Sequence, residues 1–239
     1  MKPASIAIIA LAVLFGACAS GPVSAPLTGA TSAAAPNVRA GDSWTFRELN
    51  GYNNLPKGTL RERVLESGAS GIRVEVSAND SPPGPPEVYT PDWGWHDKLD
   101  ATGVVRRFKP AFPAYVFPLA VGQKWGGEVD TFDPASGAAV AVKIRARVLG
   151  WELVRVPAGD FEALKVRRES WYNDGGTTHF GTYLVETDWY APKVNHFVRH
   201  EDSFSQVSKT QTFRRSAVVY QSDWRVFELS AYTREGKTD

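Results

Sequence analysis

Two clusters in this sequence have residue types and spacings that could do chemistry. His196 and His200 stand four apart, a spacing that on one helix face would suit a metal ion. Their surroundings, Asn195-His196-Phe197-Val198-Arg199-His200, predict a strand instead. On a strand the two positions lie ~13 Å apart, too far for one ion with ligand bonds of ~2 Å. A complete site would also need His179 or Glu201 through a tertiary contact, so no metal is expected and both histidines are read as polar surface residues.

The second cluster is Asp92, Asp97 and Asp100 around Trp93, Trp95 and His96. Two carboxyl groups beside aromatic platforms suit glycoside hydrolysis, and Asp92 with Asp97 is the pair that could carry it. The competing reading is a Pro/Gly-rich loop whose rings fold back on a sheet. No Gly-x-Ser-x-Gly elbow occurs, and the one cysteine is Cys18. No catalytic residue is nominated, no cofactor is expected, and a hydrolase ranks behind a binding protein.

Binding makes better use of the same stretch. Ser81-Pro82-Pro83-Gly84-Pro85-Pro86 stiffens the approach to Trp93-Gly94-Trp95, and a second Pro/aromatic segment runs from Phe108 to Pro118. Trp93, Trp95, Phe112 and Tyr115 are the candidate rings for an apolar small molecule or an envelope protein partner. Against this stands burial of the rings as caps of the sheet, with Trp44 and Trp125 assigned to the core. The basic pairs Arg106-Arg107, Arg167-Arg168 and Arg214-Arg215 read first as solvated, although neighbours on a strand point to opposite faces.

The elements that must position these groups are strands. Short runs rich in Val, Tyr, Phe, Trp and Thr are bounded by Gly, Pro, Asn and Asp. Ile72 to Val76 and Ile144 to Val148 each show one apolar and one polar face, and no dozen-residue window keeps a 3.6 period. Pro157-Ala158-Gly159-Asp160 predicts a hairpin turn. The fold expected is all-β and mainly antiparallel: a curved sheet, half-barrel or sandwich.

A weak internal repeat accompanies it. Ala40-Gly41-Asp42-Ser43-Trp44 resembles Val121-Gly122-Gln123-Lys124-Trp125, and Arg61-Glu62-Arg63-Val64-Leu65 resembles Arg145-Ala146-Arg147-Val148-Leu149. A looser third match sets Thr90-Pro91-Asp92-Trp93 against Thr187-Asp188-Trp189-Tyr190-Ala191-Pro192. Three landmarks in one order suggest two related β-units, residues 38–118 and 119–215, within a single domain 38–239.

Residues 1–17 read as a secretory signal, with Lys2, an apolar run from Ile6 to Phe15, and small residues at the break. Leu14-Phe15-Gly16-Ala17-Cys18 resembles the lipobox of bacterial lipoprotein precursors, with Phe15 where Leu is usual. The resemblance implies lipidation of Cys18, a stable membrane anchor and, because Ala19 is not Asp, sorting to the outer membrane facing the periplasm. Residues 18–37 follow as lipidated cysteine and flexible tether, since Ala, Ser, Gly, Pro and Thr dominate there. Loss of Lys2 leaves 26 basic and 26 acidic side chains, so the overall charge makes no case for nucleic acid or anionic lipid.

Val156-Pro157-Ala158-Gly159-Asp160-Phe161, Trp189-Tyr190-Ala191-Pro192 and Pro118 to Trp125 resemble signatures of bacterial envelope lipoproteins with a β-rich domain. That resemblance implies curved antiparallel strands akin to periplasmic lipoprotein carriers and brings no catalytic residue with it. The function expected is non-enzymatic binding at the envelope, with a structural or assembly role as the alternative. Intact mass of membrane-fraction protein should show an acylated Cys18, and Cys18→Ser should move the protein to the soluble fraction. An unmodified cysteine in the mature protein would refute the anchor.

Overall fold

The computed structural model describes residues 30–99, 105–132, 137–173, 180–208 and 219–235. Cys18, the signal segment and residues 19–29 lie outside the described residues, as do Asp100, His179, Arg214 and Arg215. The strands are β1 (Ser32–Ala33), β2 (Ser43–Asn50), β3 (Pro56–Gly68), β4 (Gly71–Ala78), β5 (Glu87–Tyr89), β6 (Trp95–Leu99) and β7 (Val105–Phe112). They continue with β8 (Leu119–Ala120), β9 (Lys124–Phe132), β10 (Ala139–Val156), β11 (Gly159–Asn173), β12 (Phe180–Ala191), β13 (His196–Ser208) and β14 (Val219–Thr233).

Twelve of these form one antiparallel meander that closes on itself. β14 returns to pair with β2, Thr233 opposite Ser43, while β1 and β8 make a separate two-stranded piece. The expected antiparallel sheet is therefore a full barrel, neither half-barrel nor sandwich, and closure removes the free edges.

Side-chain alternation decides which face is inside. On β10, Val142, Ile144, Ala146 and Val148 are buried while Lys143, Arg145 and Arg147 are exposed. On β3, Val64 is buried between exposed Arg63 and partly covered Leu65. Charges on the outer wall are the reverse of a lipid-facing strand, so the barrel wall is built for water.

The two ends differ. One end carries the hairpin turns 51–55 and 79–86. The other is closed by the β5–β6 turn, the segment from Phe112 to Gln123 and the β12–β13 turn. There the Trp44 and Trp93 indoles donate to the carbonyls of Val194 (3.0 Å) and Asn195 (2.9 Å). The Trp125 indole donates to Pro113 O at 2.8 Å, and Trp95 stacks on Phe112 with centroids 4.1 Å apart. The predicted Pro157-Ala158 hairpin extends past a bulge at Leu149 and lies under this end, where Ala158 N donates to Leu229 O.

Two repeat landmarks make the same contacts. Gly41 N donates to Val64 O and Gly122 N to Val148 O. Val64 N then donates to Asp42 O and Val148 N to Gln123 O. Both glycines have positive φ, 93° and 83°, and a bulge follows each valine. The third match corrects: Asp188-Trp189 lies within β12, whereas Trp93 belongs to a turn. The turn compares instead with Tyr190-Ala191-Pro192, which runs out of the end of β12 as Tyr89-Thr90-Pro91 runs out of the end of β5, with Trp93 N→Thr90 O and Val194 N→Ala191 O both at 3.1 Å.

The described part of the expected tether is fixed to the barrel at two points. In its described part, residues 30–37, Ala33 is buried in the β1–β8 pair and Asn37 O accepts from Asn195 Nδ2 at 2.6 Å. Small residues too poor to form a core still fill a gap in one.

Gly71 closes the β3–β4 hairpin at φ 133°, where a Cβ would sit 2.4 Å from Tyr89 O. Gly71→Ala should cost about 2–4 kcal/mol of unfolding free energy in denaturant titration. Gly122→Ala, at φ 83° with open space around it, should cost only about 1 kcal/mol.

Candidate functional site

Charged residues occupy the inside of the barrel above the aromatic plug. Neighbouring strands bring them together in register: Arg168 on β11 faces Glu186 on β12, Glu186 faces Asp202 on β13, and Asp202 faces Arg225 on β14. One step lower, Asp188 faces His200. The row exists because inward positions on these strands recur every second residue.

Arg168 anchors the group at 2% exposure. Its Nη1 donates to Asp188 Oδ2 at 2.6 Å and to Ala114 O at 3.3 Å, and its Nε reaches Glu186 at 3.4 Å. The guanidinium lies over the rings of Trp95 and Tyr115, 5.7 and 5.3 Å from their centroids. Asp188 also accepts from the Tyr115 hydroxyl and pairs with His200 Nδ1. His200 Nε2 stands 3.6 Å from Asp202, which takes a two-pronged bond from Arg225.

Two smaller groups complete the interior. Glu87 accepts from the Tyr89 hydroxyl, from Leu99 N at 2.9 Å and from Lys98 Nζ at 3.4 Å. Glu62 lies 3.1 Å from His196 Nε2, and the imidazole is enclosed by Trp44, Phe46, Trp93 and Phe197, with centroids 4.3–5.8 Å away. His196 Nδ1 is buried without a partner among the described residues.

Burial alone would neutralise such groups, and their partners reverse it. Burial pushes the Asp188 carboxyl up, but Arg168 and His200 outweigh that and hold it well below the usual range. Burial likewise pushes the His200 imidazole down, yet Asp188 and Asp202 raise it to about 9. With carboxylates at both nitrogens, His200 is an imidazolium. Burial lowers Lys98 too, and Glu87, Glu62 and Glu186 more than compensate. Glu186 belongs to β12 and Lys98 to β6, so charges address one another across the lumen.

The structure places the sequence candidates differently from expectation. Trp93, Trp95, Phe112 and Tyr115, read as rings on ligand-facing loops, are all buried, at 4%, 7%, 0% and 7% exposure. The loops fold inward because each ring gains more from packing in the barrel end than from water. Trp93 holds φ 64°, unfavourable for a bulky residue, secured by its indole bond and the rings of Trp44 and Tyr89. Asp92 accepts from Thr90 Oγ1 within its turn, and Asp97 is held by Arg107 at 2.9 and 3.1 Å on the outer wall. These two carboxyls do not converge on one cleft. His196 and His200 are interior, correcting the surface reading, and they engage different acids. Among the described residues no group of three or more potential ligands is arranged for a metal.

Sequence reasoning missed Glu62, Glu87, Lys98, Glu186, Asp188, Asp202 and Arg225. One signal was available: of the pair Arg167-Arg168, neighbours must face opposite ways, and Arg168 is the inward one.

No protein-family model matches the chain, and no curated protein does. Two solved structures resemble it. A protein from Bacteroides fragilis, described as exported and as having a YmcC-like fold, superposes with TM-score 0.50 at 16% identity, over 85% of this chain and 100% of its own. One from Parabacteroides distasonis, described as a lipoprotein, gives TM-score 0.44 at 14% identity, over 86% and 100%. The first likeness is one of fold.

His200 gives the site a pH signature. Its folded pKa lies above its ordinary value of 6.5, so its contribution is complete below that value and is lost as pH rises through about 9. Chemical unfolding should show a decline on the order of 3 kcal/mol across that window. His200→Gln should flatten the decline; an unchanged slope would remove His200 as its source.

Proposed function

We propose that this chain is an exported lipoprotein, anchored through Cys18 to the outer membrane on its periplasmic side, whose barrel receives a small polar molecule without chemically altering it. One observation carries the reading: the interior holds paired charges, Arg168 with Asp188 and Glu186 foremost, at positions where apolar groups could pack. Replacing buried ion pairs with well-packed apolar groups is often neutral or stabilising by ~1–4 kcal/mol. The charges are also graded. Arg168, Glu186 and Asp188 are deeply buried and mutually satisfied, whereas Lys98 and Arg225 keep 30% and 27% of their side chains exposed.

Fixed charges below and half-exposed ones above suit a ligand with hydrogen-bonding and charged groups. The apolar ligand expected from the aromatic loops loses support, because those rings are committed to the plug. Export is supported by the signal segment and by fold likeness to a protein described as exported. The lipobox resemblance supports the anchor, and Ala19 supports outer-membrane sorting. A second reading, docking of an envelope protein at the end that carries the 51–55 turn, draws on Leu55, exposed by 60%, and Tyr52, exposed by 57% against the Trp224 ring.

The test is native mass spectrometry of gently purified mature protein, followed by thermal unfolding against a panel of amines, amino acids and sugars. A bound or stabilising polar compound is expected, with affinity reduced on the order of tenfold in Lys98→Met. A lumen that takes up none of them, or a Lys98→Met protein that binds as well as the parent, would overturn the reading.

A further inference from the structure

The outer wall near the closed end carries a row of like charges. Lys124 on β9 sits directly opposite Arg147 on β10, and Arg147 sits opposite Arg167 on β11. All three are exposed. Like charges directly opposed across strands destabilise a sheet, so a closed barrel gains nothing from this row by itself. Arg167 is partly compensated by Glu169 at 3.1 Å, while among the described residues neither Lys124 nor Arg147 has an acidic partner.

Beside the row lie exposed apolar side chains. Val121 is 52% exposed and Val116 is 38% exposed. Gln123 joins them to the row: its side-chain Nε2 donates to Val116 O at 2.8 Å, and its main-chain carbonyl accepts from Val148 N, next to Arg147. The chain's N-terminal part reaches the barrel at the same spot, since Ser32 pairs with Ala120, one residue before Val121. Eleven residues, 19–29, separate Cys18 from the first described residue, a length that spans at most ~40 Å.

From this coincidence of cations, exposed valines and the tether's point of attachment, we infer that the closed end of the barrel rests on an anionic membrane surface, Lys124, Arg147 and Arg167 meeting lipid phosphates and Val116 and Val121 meeting the interface. A basic side chain close to an anionic surface contributes about 1 kcal/mol, and valines at the headgroup boundary add apolar burial. The chain's balanced overall charge hides this local excess. The arrangement turns the end with the 51–55 and 79–86 turns away from the membrane. The inference rests on the membrane-anchored reading for its context, but the contact itself does not require the acyl chains.

The unlipidated mature chain, Cys18→Ser, separates the two. It should cosediment with vesicles of phosphatidylcholine mixed with phosphatidylglycerol, fail to do so with phosphatidylcholine alone, and be released by salt. The double substitution Lys124→Glu/Arg147→Glu should weaken binding on the order of tenfold or more. Val121→Asp should weaken it several-fold, and Leu55→Asp, on the opposite end, should leave it unchanged. The substituted side chains point outward, and thermal unfolding verifies that each variant is folded; Lys124→Gln/Arg147→Gln replaces the double variant if it is not. Equal binding to both vesicle types, no binding to either, unaltered binding by the charge variants, or loss caused by Leu55→Asp would each overturn the inference. Acylation of wild-type Cys18 is read separately from intact mass, so failure of the anchor and failure of the contact cannot be confused.

Discussion

Pairing of β14 with β2 fixes the girth of the barrel, and the interior follows from that girth. A barrel of about eight strands is just wide enough for ordinary side chains to fill, and twelve strands enclose more. Filling such an interior favours large side chains. The largest fully buried side chains are accordingly Trp44, Arg168, Tyr190, Phe46 and Phe112. Arg168 shows the constraint most directly: from β11 it reaches the Trp95 ring on β6 and the Tyr115 ring on the plug. A long side chain spans that gap, and because the one present is a cation it requires acids within reach. Glu186 and Asp188 pair with that cation, and Tyr115 and His200 complete the bonds of Asp188.

Local pattern carried much of the fold and little of its closure. Ile72–Val76 and Ile144–Val148 alternate as read, the Pro157-Ala158 turn forms a hairpin, and the two glycine turns make matching hydrogen bonds. These features depend on neighbours within about a turn or a strand. Closure depends on Ser43 meeting Thr233, a contact that no local pattern announces. The same holds for Ala33, which lies in a stretch with the composition of a tether and whose burial depends on β8 being there to pair with.

The site was hidden by an inversion. On β12, Val185-Glu186-Thr187-Asp188-Trp189 places its apolar side chains at odd positions, which a period-two reading turns inward. The barrel turns the even positions inward instead, because Asp188 and Glu186 must meet Arg168. Trp189 faces outward, where Lys165 and Arg199 cover its ring and Glu152 accepts its indole N–H at 2.6 Å. One residue of register exchanges the two faces of a strand, so partner charges decided a choice that hydropathy alone assigns the other way.

That choice bears on what the lumen is for. If the interior served stability alone, the odd face of β12 would be the better filling, since Trp189 and Val185 bury area with no desolvation of charge. A protein that instead buries Glu186 and Asp188 must satisfy each with a partner. It does so at depth with Arg168, Tyr115 and His200, and loosens the pairing away from the plug, where Lys98 holds Glu87 at 3.4 Å. Paired charges in a low-dielectric wall keep strong fields at short range, and Lys98 at their upper boundary keeps 30% of its side chain exposed. The plug and the charged row therefore divide the interior: the aromatic rings close one end and hold its shape, and the charges above them are held by partners on neighbouring strands.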